Sequence, residues 1–181
     1  MSLDQLIQKC KKNDTEAQSN IYKLFSGKLF AICLKYSRNH VEAEDNLQDA
    51  FVTIFEKMWQ YKHKGSFEGW LKRIVINTAL QRYRSKGVFN IVNENSIEDA
   101  SVEIEDNDAV EIDFLLLSIQ ELPDRYRLVF NLYALDGYSH KEIAKMLDIT
   151  TGTTKSNLAR ARMILKNKIE NYTANKNSQS L

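Results

Sequence analysis

The sequence predicts an all-α protein made of two small helical domains and an acidic connector. Three observations carry this reading. Only six Gly and one Pro occur in 181 residues, too few turn-formers for an all-β chain of this length. Apolar residues make up 43% of the chain, enough for real cores, and they recur at three- and four-residue steps. Charge is also segregated beneath a net +1: residues 1–86 carry 15 cations and 9 acids, and residues 125–181 carry 10 cations and 4 acids. From Gly87 to Asp124 there are 11 acids and no Lys or Arg. Two basic halves flanking an acidic middle suit a polyanionic partner, although a basic solvated surface gives the same pattern.

Several classes are excluded at this level. Cys10 and Cys33 are too few for a disulfide framework and read as buried reduced thiols. No Cys or His cluster has zinc-ligand spacing, and His40 with Glu44 reads as a surface pair, so no metal or cofactor is expected. Neither a signal core nor an apolar run near the ~18 residues of a membrane span is present, so a soluble, cytoplasmic chain is expected. No phosphate loop, nucleophile elbow or zinc-protease motif appears, so no enzyme is expected.

In chain order, Ser2 to Lys12 predicts a short helix with Leu3, Leu6, Ile7 and Cys10 on one side. Asn13-Asp14-Thr15 breaks it, and Thr15 with Gln18 fits a capping box for a second helix to about Ser37. Asn39 and Glu42 open a third helix. Its apolar face holds Leu47, Ala50, Phe51, Ile54, Phe55 and Met58, and a polar face holds Asp45, Gln48, Asp49, Val52 and Glu56. A loop, Tyr61-Lys62-His63-Lys64-Gly65-Ser66, leads to a fourth helix from near Ser66 to about Lys86. That helix mixes core residues with Lys72, Arg73, Arg82, Arg84 and Lys86. Trp59, Tyr61, His63, Phe67 and Trp70 crowd its start, where they can stack an unpaired base or plug the end of a bundle.

Residues 88–112 read as an acidic linker whose Val88, Phe89, Ile91 and Val92 suggest packing into a groove. Helical spacing resumes over Ile112–Glu121, breaks at Leu122-Pro123-Asp124 and continues over Arg125–Leu135. Asp136-Gly137 stops that helix. Ser139 and Glu142 form a capping box for a short helix, Asp148-Ile149-Thr150 turns the chain, and Thr150 or Thr151 caps a helix from about Gly152 to Tyr172. Short helix, tight turn and longer basic helix make a helix-turn-helix. The last helix opens with Thr153, Thr154, Lys155, Ser156 and Asn157 and continues to Arg160 and Arg162, donors suited to phosphates and major-groove base edges. Residues 173–181 read as a frayed tail.

Two stretches carry a family resemblance. Ala43-Glu44-Asp45-Asn46-Leu47-Gln48-Asp49-Ala50-Phe51, Phe67-Glu68-Gly69-Trp70-Leu71-Lys72-Arg73-Ile74, Asn77 and Arg84 resemble the promoter-opening domain (region 2) of extracytoplasmic-function (ECF) sigma factors, of the sigma-70 family. Leu122-Pro123, Arg127, Glu142-Ile143-Ala144, Gly152-Thr153-Thr154-Lys155-Ser156 and Arg160-Ala161-Arg162 resemble the domain that reads the −35 element (region 4). The resemblance implies a region 2-like domain over 1–87 and a region 4-like domain over 113–172. It implies docking on core RNA polymerase through Asp45, Gln48 and Asp49, with Val52 and Glu56 on the same face. It implies −10 DNA contacts from Lys64, Ser66, Phe67, Trp70, Arg73 and Asn77, with Arg82 and Arg84 as further cations. It also implies −35 DNA contacts from Thr153, Thr154, Lys155, Ser156, Asn157, Arg160 and Arg162, and an anti-sigma partner. Two departures stand out: Gln81 where the family commonly has Asp, and Thr154 where Val is usual. The alternative is a two-domain helix-turn-helix regulator that acts on duplex DNA without polymerase.

Overall fold

The structure, a computed structural model, describes residues 1–88 and 110–179. Most of the expected linker, residues 89–109, lies outside the described residues. Every regular element among those described is helical, as the sequence predicts. The chain divides into two compact units, 1–82 and 83–181. No helix among the described residues is long and apolar enough to cross a membrane.

The first unit begins with α1, Leu3–Cys10, started by a reciprocal capping box. Ser2 Oγ accepts from the Gln5 N–H at 3.3 Å, and Gln5 Oε1 accepts from the Ser2 N–H at 2.9 Å. Asn13 ends the segment at φ 61°, a left-handed conformation that Asn tolerates better than most residues. Helix α2 spans Thr15–Tyr36. Its cap is Asp14, not the expected Thr15: the Asp14 carboxylate accepts from the Ala17 N–H at 2.8 Å. A carboxylate there both accepts the bond and meets the positive end of the helix dipole.

Helix α3, His40–Glu56, is capped by Asn39, whose side chain accepts from the Glu42 N–H at 2.9 Å. Glu42 does not complete the expected box. It turns back to accept from the Arg38 N–H at 2.7 Å and to pair with the Arg38 guanidinium at 3.0 Å. A 3-10 turn, Met58–Gln60, and the loop lead to α4, Phe67–Ser85. Helix α2 packs on both α1 and α3. Ile21, Leu29, Cys33, Ala43, Ala50, Ile54 and Leu71 are wholly buried between these helices. Full burial of each large apolar side chain stabilises the unit by about 1.5–3 kcal/mol, which makes this core the main determinant of where the α3 and α4 surfaces lie.

The second unit holds α5 (Ile112–Gln120), α6 (Asp124–Phe130), α7 (His140–Leu147) and α8 (Thr151–Gln179). At the break between α5 and α6, Arg127 is 1% exposed. Its guanidinium donates to the carbonyls of Gln120 (3.0 Å) and Leu122 (2.8 Å) and pairs with Asp124. One buried cation thus satisfies carbonyls that the end of α5 leaves open. Helix α6 runs on into a π-helical turn, Asn131–Leu135, where the Asp136 N–H reaches back to the Asn131 carbonyl at 2.9 Å. Gly137, at φ 75°, reverses the chain. The Ser139–Glu142 box then starts α7 as expected, and Asp148, at φ 56°, ends it.

Helix α8 packs against α5, α6 and α7. Leu122, Ala161 and Leu165 form a buried cluster with Ile119, Tyr126, Phe130 and Ile164 against it. The helix continues to Gln179, past the expected end at Tyr172. The segment beyond Tyr172 contains neither Gly nor Pro, and Thr173 and Ser178 donate their hydroxyls to the carbonyls of Ile169 and Ala174, both at 2.9 Å, without breaking the ladder.

Candidate docking and nucleic-acid interfaces

The two faces of α3 are chemically distinct. Ala43, Asn46, Leu47, Ala50, Phe51 and Ile54 are buried, and Asn46 donates to Ser37 Oγ at 2.7 Å. Asp45, Gln48, Asp49, Val52 and Glu56 all lie on the exposed face. The structure therefore brings all five predicted docking residues together on one surface. It also adds a neighbour. Arg82 of α4 places Nη2 2.9 Å from Asp49 Oδ2 and Nη1 3.7 Å from Asp45 Oδ2. Arg82, expected among the DNA contacts, is instead turned onto the acidic face of α3. Coulomb attraction to two carboxylates one helical turn apart accounts for that direction.

The start of α4 separates the predicted −10 residues into two sets. Lys64, Ser66, Arg73, Asn77 and Arg84 are exposed, and Trp70 is half-buried. Ser66 Oγ accepts from the Gly69 N–H at 3.0 Å, which ends the loop and starts the helix. Phe67, by contrast, is only 5% exposed. Its ring meets Phe25 edge-on at 5.5 Å, lies 5.1 Å from Tyr61 and stacks on Trp70 at 5.8 Å. Phe67 is therefore packed in the core, where its ring orients Trp70. The apolar content of the α2–α4 junction draws it inward. Tyr61 is buried too and donates its hydroxyl to the Gly65 carbonyl at 3.1 Å, closing the loop. Trp59, omitted from the expected contacts, is the most exposed large aromatic among the described residues, at 69%. Its position in a Lys-rich turn, Lys57 to Lys64, is the sequence signal that could have singled it out.

In the helix-turn-helix, Thr150 Oγ1 accepts from the Thr153 N–H at 3.0 Å and so caps α8. Lys155 is exposed, and Thr153, Arg160 and Arg162 are half-buried. Arg160 lies 3.3 Å from the Tyr126 hydroxyl, and the Arg162 guanidinium lies over the Tyr133 ring at 5.8 Å. Three expected DNA contacts face inward instead. Thr154 is wholly buried, donates to the Thr151 carbonyl at 2.8 Å and sits 2.9 Å from His140 Nδ1. Ser156 is 7% exposed and donates to the Thr153 carbonyl at 3.1 Å. Asn157 is wholly buried with its amide unpaired. For Thr154 and Asn157 the reason is helical phase: with Leu158, Ala161 and Leu165 they recur at three- and four-residue steps along one buried stripe.

Comparison with known proteins gives this geometry a family. A model of sigma-70 region 2 matches residues 21–88, and one of sigma-70 region 4 matches residues 115–165. Together these stretches cover well over half of the chain. The chain belongs to the sigma-70 family, as a factor of the ECF type. Among curated relatives, the ECF RNA polymerase sigma factor SigW of Bacillus subtilis is 28% identical over 187 residues, spanning 93% of this chain and 97% of that protein. The ECF RNA polymerase sigma-E factor of Haemophilus influenzae is 26% identical over 179 residues, spanning 91% and 94%. Among solved structures, the sigma factor RpoE from Bartonella quintana, crystallised with the anti-sigma factor NepR, has the same fold. It has a TM-score of 0.52 at 22% identity, covering 84% of this chain and 96% of that one. A sigma factor directs promoter-specific initiation, and the region 2 match sets aside the reading of a stand-alone regulator.

Proposed function

We propose that this sigma factor docks on core RNA polymerase through Asp45, Gln48, Asp49, Val52 and Glu56 of α3. The observation that carries this is the sorting of α3 into a buried apolar face and an exposed acidic one. An amphipathic helix of that kind offers charge and hydrogen-bond acceptors to a basic partner. Residues 1–87 act as the docking and melting domain. There Lys64, Ser66, Trp70, Arg73, Asn77 and Arg84 engage the unpaired −10 strand, with Trp59 available as a further stacking surface. Residues 113–172 act as the −35 reader through Thr153, Lys155, Arg160 and Arg162, and 88–112 link the two. The protein works in the cytoplasm, where promoters and polymerase are, and is not itself an enzyme; holding bases unpaired lowers the free energy of strand separation. Like the Bartonella sigma factor, which was crystallised in complex with an anti-sigma factor, it binds an anti-sigma factor.

The test is co-elution of the purified chain with core polymerase that lacks any sigma factor. A stable complex at moderate salt is expected. Reversing Asp45 and Asp49 to Lys turns two attractions into repulsions, each worth about 1 kcal/mol in water at contact. Docking should then weaken by on the order of 100- to 1000-fold with an unchanged circular dichroism spectrum. Wild-type affinity in the reversed variant would remove α3 from the docking assignment.

A further inference from the structure

Arg82 is the one cation among the expected contact residues that the function above leaves out. It projects from α4 onto α3, 33 residues away in sequence, and spans two carboxylates rather than one. The guanidinium fork is planar and rigid, so two separate nitrogens can hold two oxygens in fixed relative positions. Arg82 is 24% exposed at its side chain, whereas Asp45 and Asp49 are 57% and 61% exposed. The cation is thus sheltered behind the acids, and the acids face outward. Each carboxylate has a second oxygen, and the contacts above use only Oδ2 of each.

We infer that Arg82 is a positioning residue for polymerase docking: it fixes Asp45 and Asp49 from behind so that their outer oxygens meet a basic partner preorganised. This inference rests on the docking reading of α3. Two carboxylates at i and i+4 repel each other and, unassisted, sample several rotamers. A cation shared between them removes the repulsion and much of that freedom, so less ordering remains to be done when the partner arrives. A DNA-contacting role makes the opposite demand, because a guanidinium held and largely neutralised by two carboxylates is a poor partner for a phosphate.

The experiment is a double-mutant cycle on the full chain. Affinity for core polymerase is measured for the wild type, Arg82→Gln, Asp49→Asn and the double variant. The same holoenzymes are then titrated with a fork DNA carrying an unpaired −10 strand. Arg82→Gln is expected to weaken docking by about fivefold, the upper range for an exposed ion pair. In the Asp49→Asn background the same change is expected to cost less than about twofold, because the shorter of the two contacts it acts through is gone and only the 3.7 Å contact to Asp45 remains. Arg82→Lys, which keeps the charge but not the fork, should restore only part of the loss. Fork affinity of the assembled holoenzymes should not change. Unchanged docking in Arg82→Gln would overturn the inference, as would an equal loss in both backgrounds or a selective loss of fork binding. A docking-competent Asp45→Asn, Asp49→Asn variant would instead sink the docking reading itself. The two failures are therefore distinguishable.

Discussion

Replacing Lys155 by Ala isolates the electrostatic part of upstream DNA binding. Lys155 is exposed at the start of the second turn of α8, close to the positive end of the helix dipole. Arg162 follows seven residues later on the same side, about 10 Å along the axis at ~1.5 Å per residue. If Lys155 neutralises one phosphate, its removal lowers the slope of log affinity against log salt by about 0.9. Taking ~1 M salt as the point where this contribution vanishes, the loss is about 15-fold at ~50 mM and about 4-fold at ~200 mM. The assay is a titration of −35 duplex with assembled holoenzyme across that salt range. Thermal melting of the free chain checks that α8 is intact. Parallel salt plots for variant and wild type would refute the phosphate assignment, whatever the absolute loss.

Other outcomes follow from the same geometry. Phe67→Ala should destabilise the first unit by about 3–5 kcal/mol, as for other buried aromatics, while Arg73→Ala should impair promoter opening with an unchanged melting temperature; calorimetry and an open-complex assay separate the two. Burial pushes the Cys33 thiol up to about 12 and the Cys10 thiol up to about 11, with Asp14 adding to the latter. The native protein should therefore resist a thiol reagent at mildly alkaline pH and react fully only when denatured. The Ser139 N–H and hydroxyl, at 2.8 and 2.7 Å, hold the Glu142 carboxyl below its ordinary 4.5. A depressed folded-state value stabilises α7 above 4.5, and that stabilisation is lost as pH falls through the lower value. The melting temperature of the wild type should thus fall more steeply on acidification than that of Glu142→Gln; identical pH profiles would contradict the assignment.

The helices were legible in the sequence because their signals are local. Ser139 with Glu142 announces its helix start within four residues, and the apolar spacing of α3 identifies its buried face; the Ser2–Gln5 box is as local a signal but was passed over. Choosing between adjacent caps was harder: Asp14 and Thr15 both suit an N-cap, and the carboxylate takes the position. The buried residues among the candidate contacts have a different cause. Phe67, Thr154, Ser156 and Asn157 belong to types that can contact nucleic acid, yet helical phase directs Phe67, Thr154 and Asn157 inward, and Ser156 folds its hydroxyl onto the preceding turn. A hydroxyl on a helix can satisfy itself on the preceding turn, as Thr154 and Ser156 do. Polarity alone is therefore a poor guide to which side such residues face. The Arg82 pairing was illegible for a third reason: it joins positions on two helices whose relative register is set only by the packed core of the first unit.

Whether the chain gives core RNA polymerase a promoter specificity that the core lacks is read out by a single-round transcription assay. Core polymerase free of other sigma factors is mixed with the purified chain and a pool of genomic fragments from the source organism, and transcript starts are mapped. The expected starts require the chain and share a −35 and a −10 element. Lys155→Ala should lower initiation at these starts, and the Asp45→Lys, Asp49→Lys variant should abolish it. Starts that are identical with and without the chain would refute the promoter-directing role.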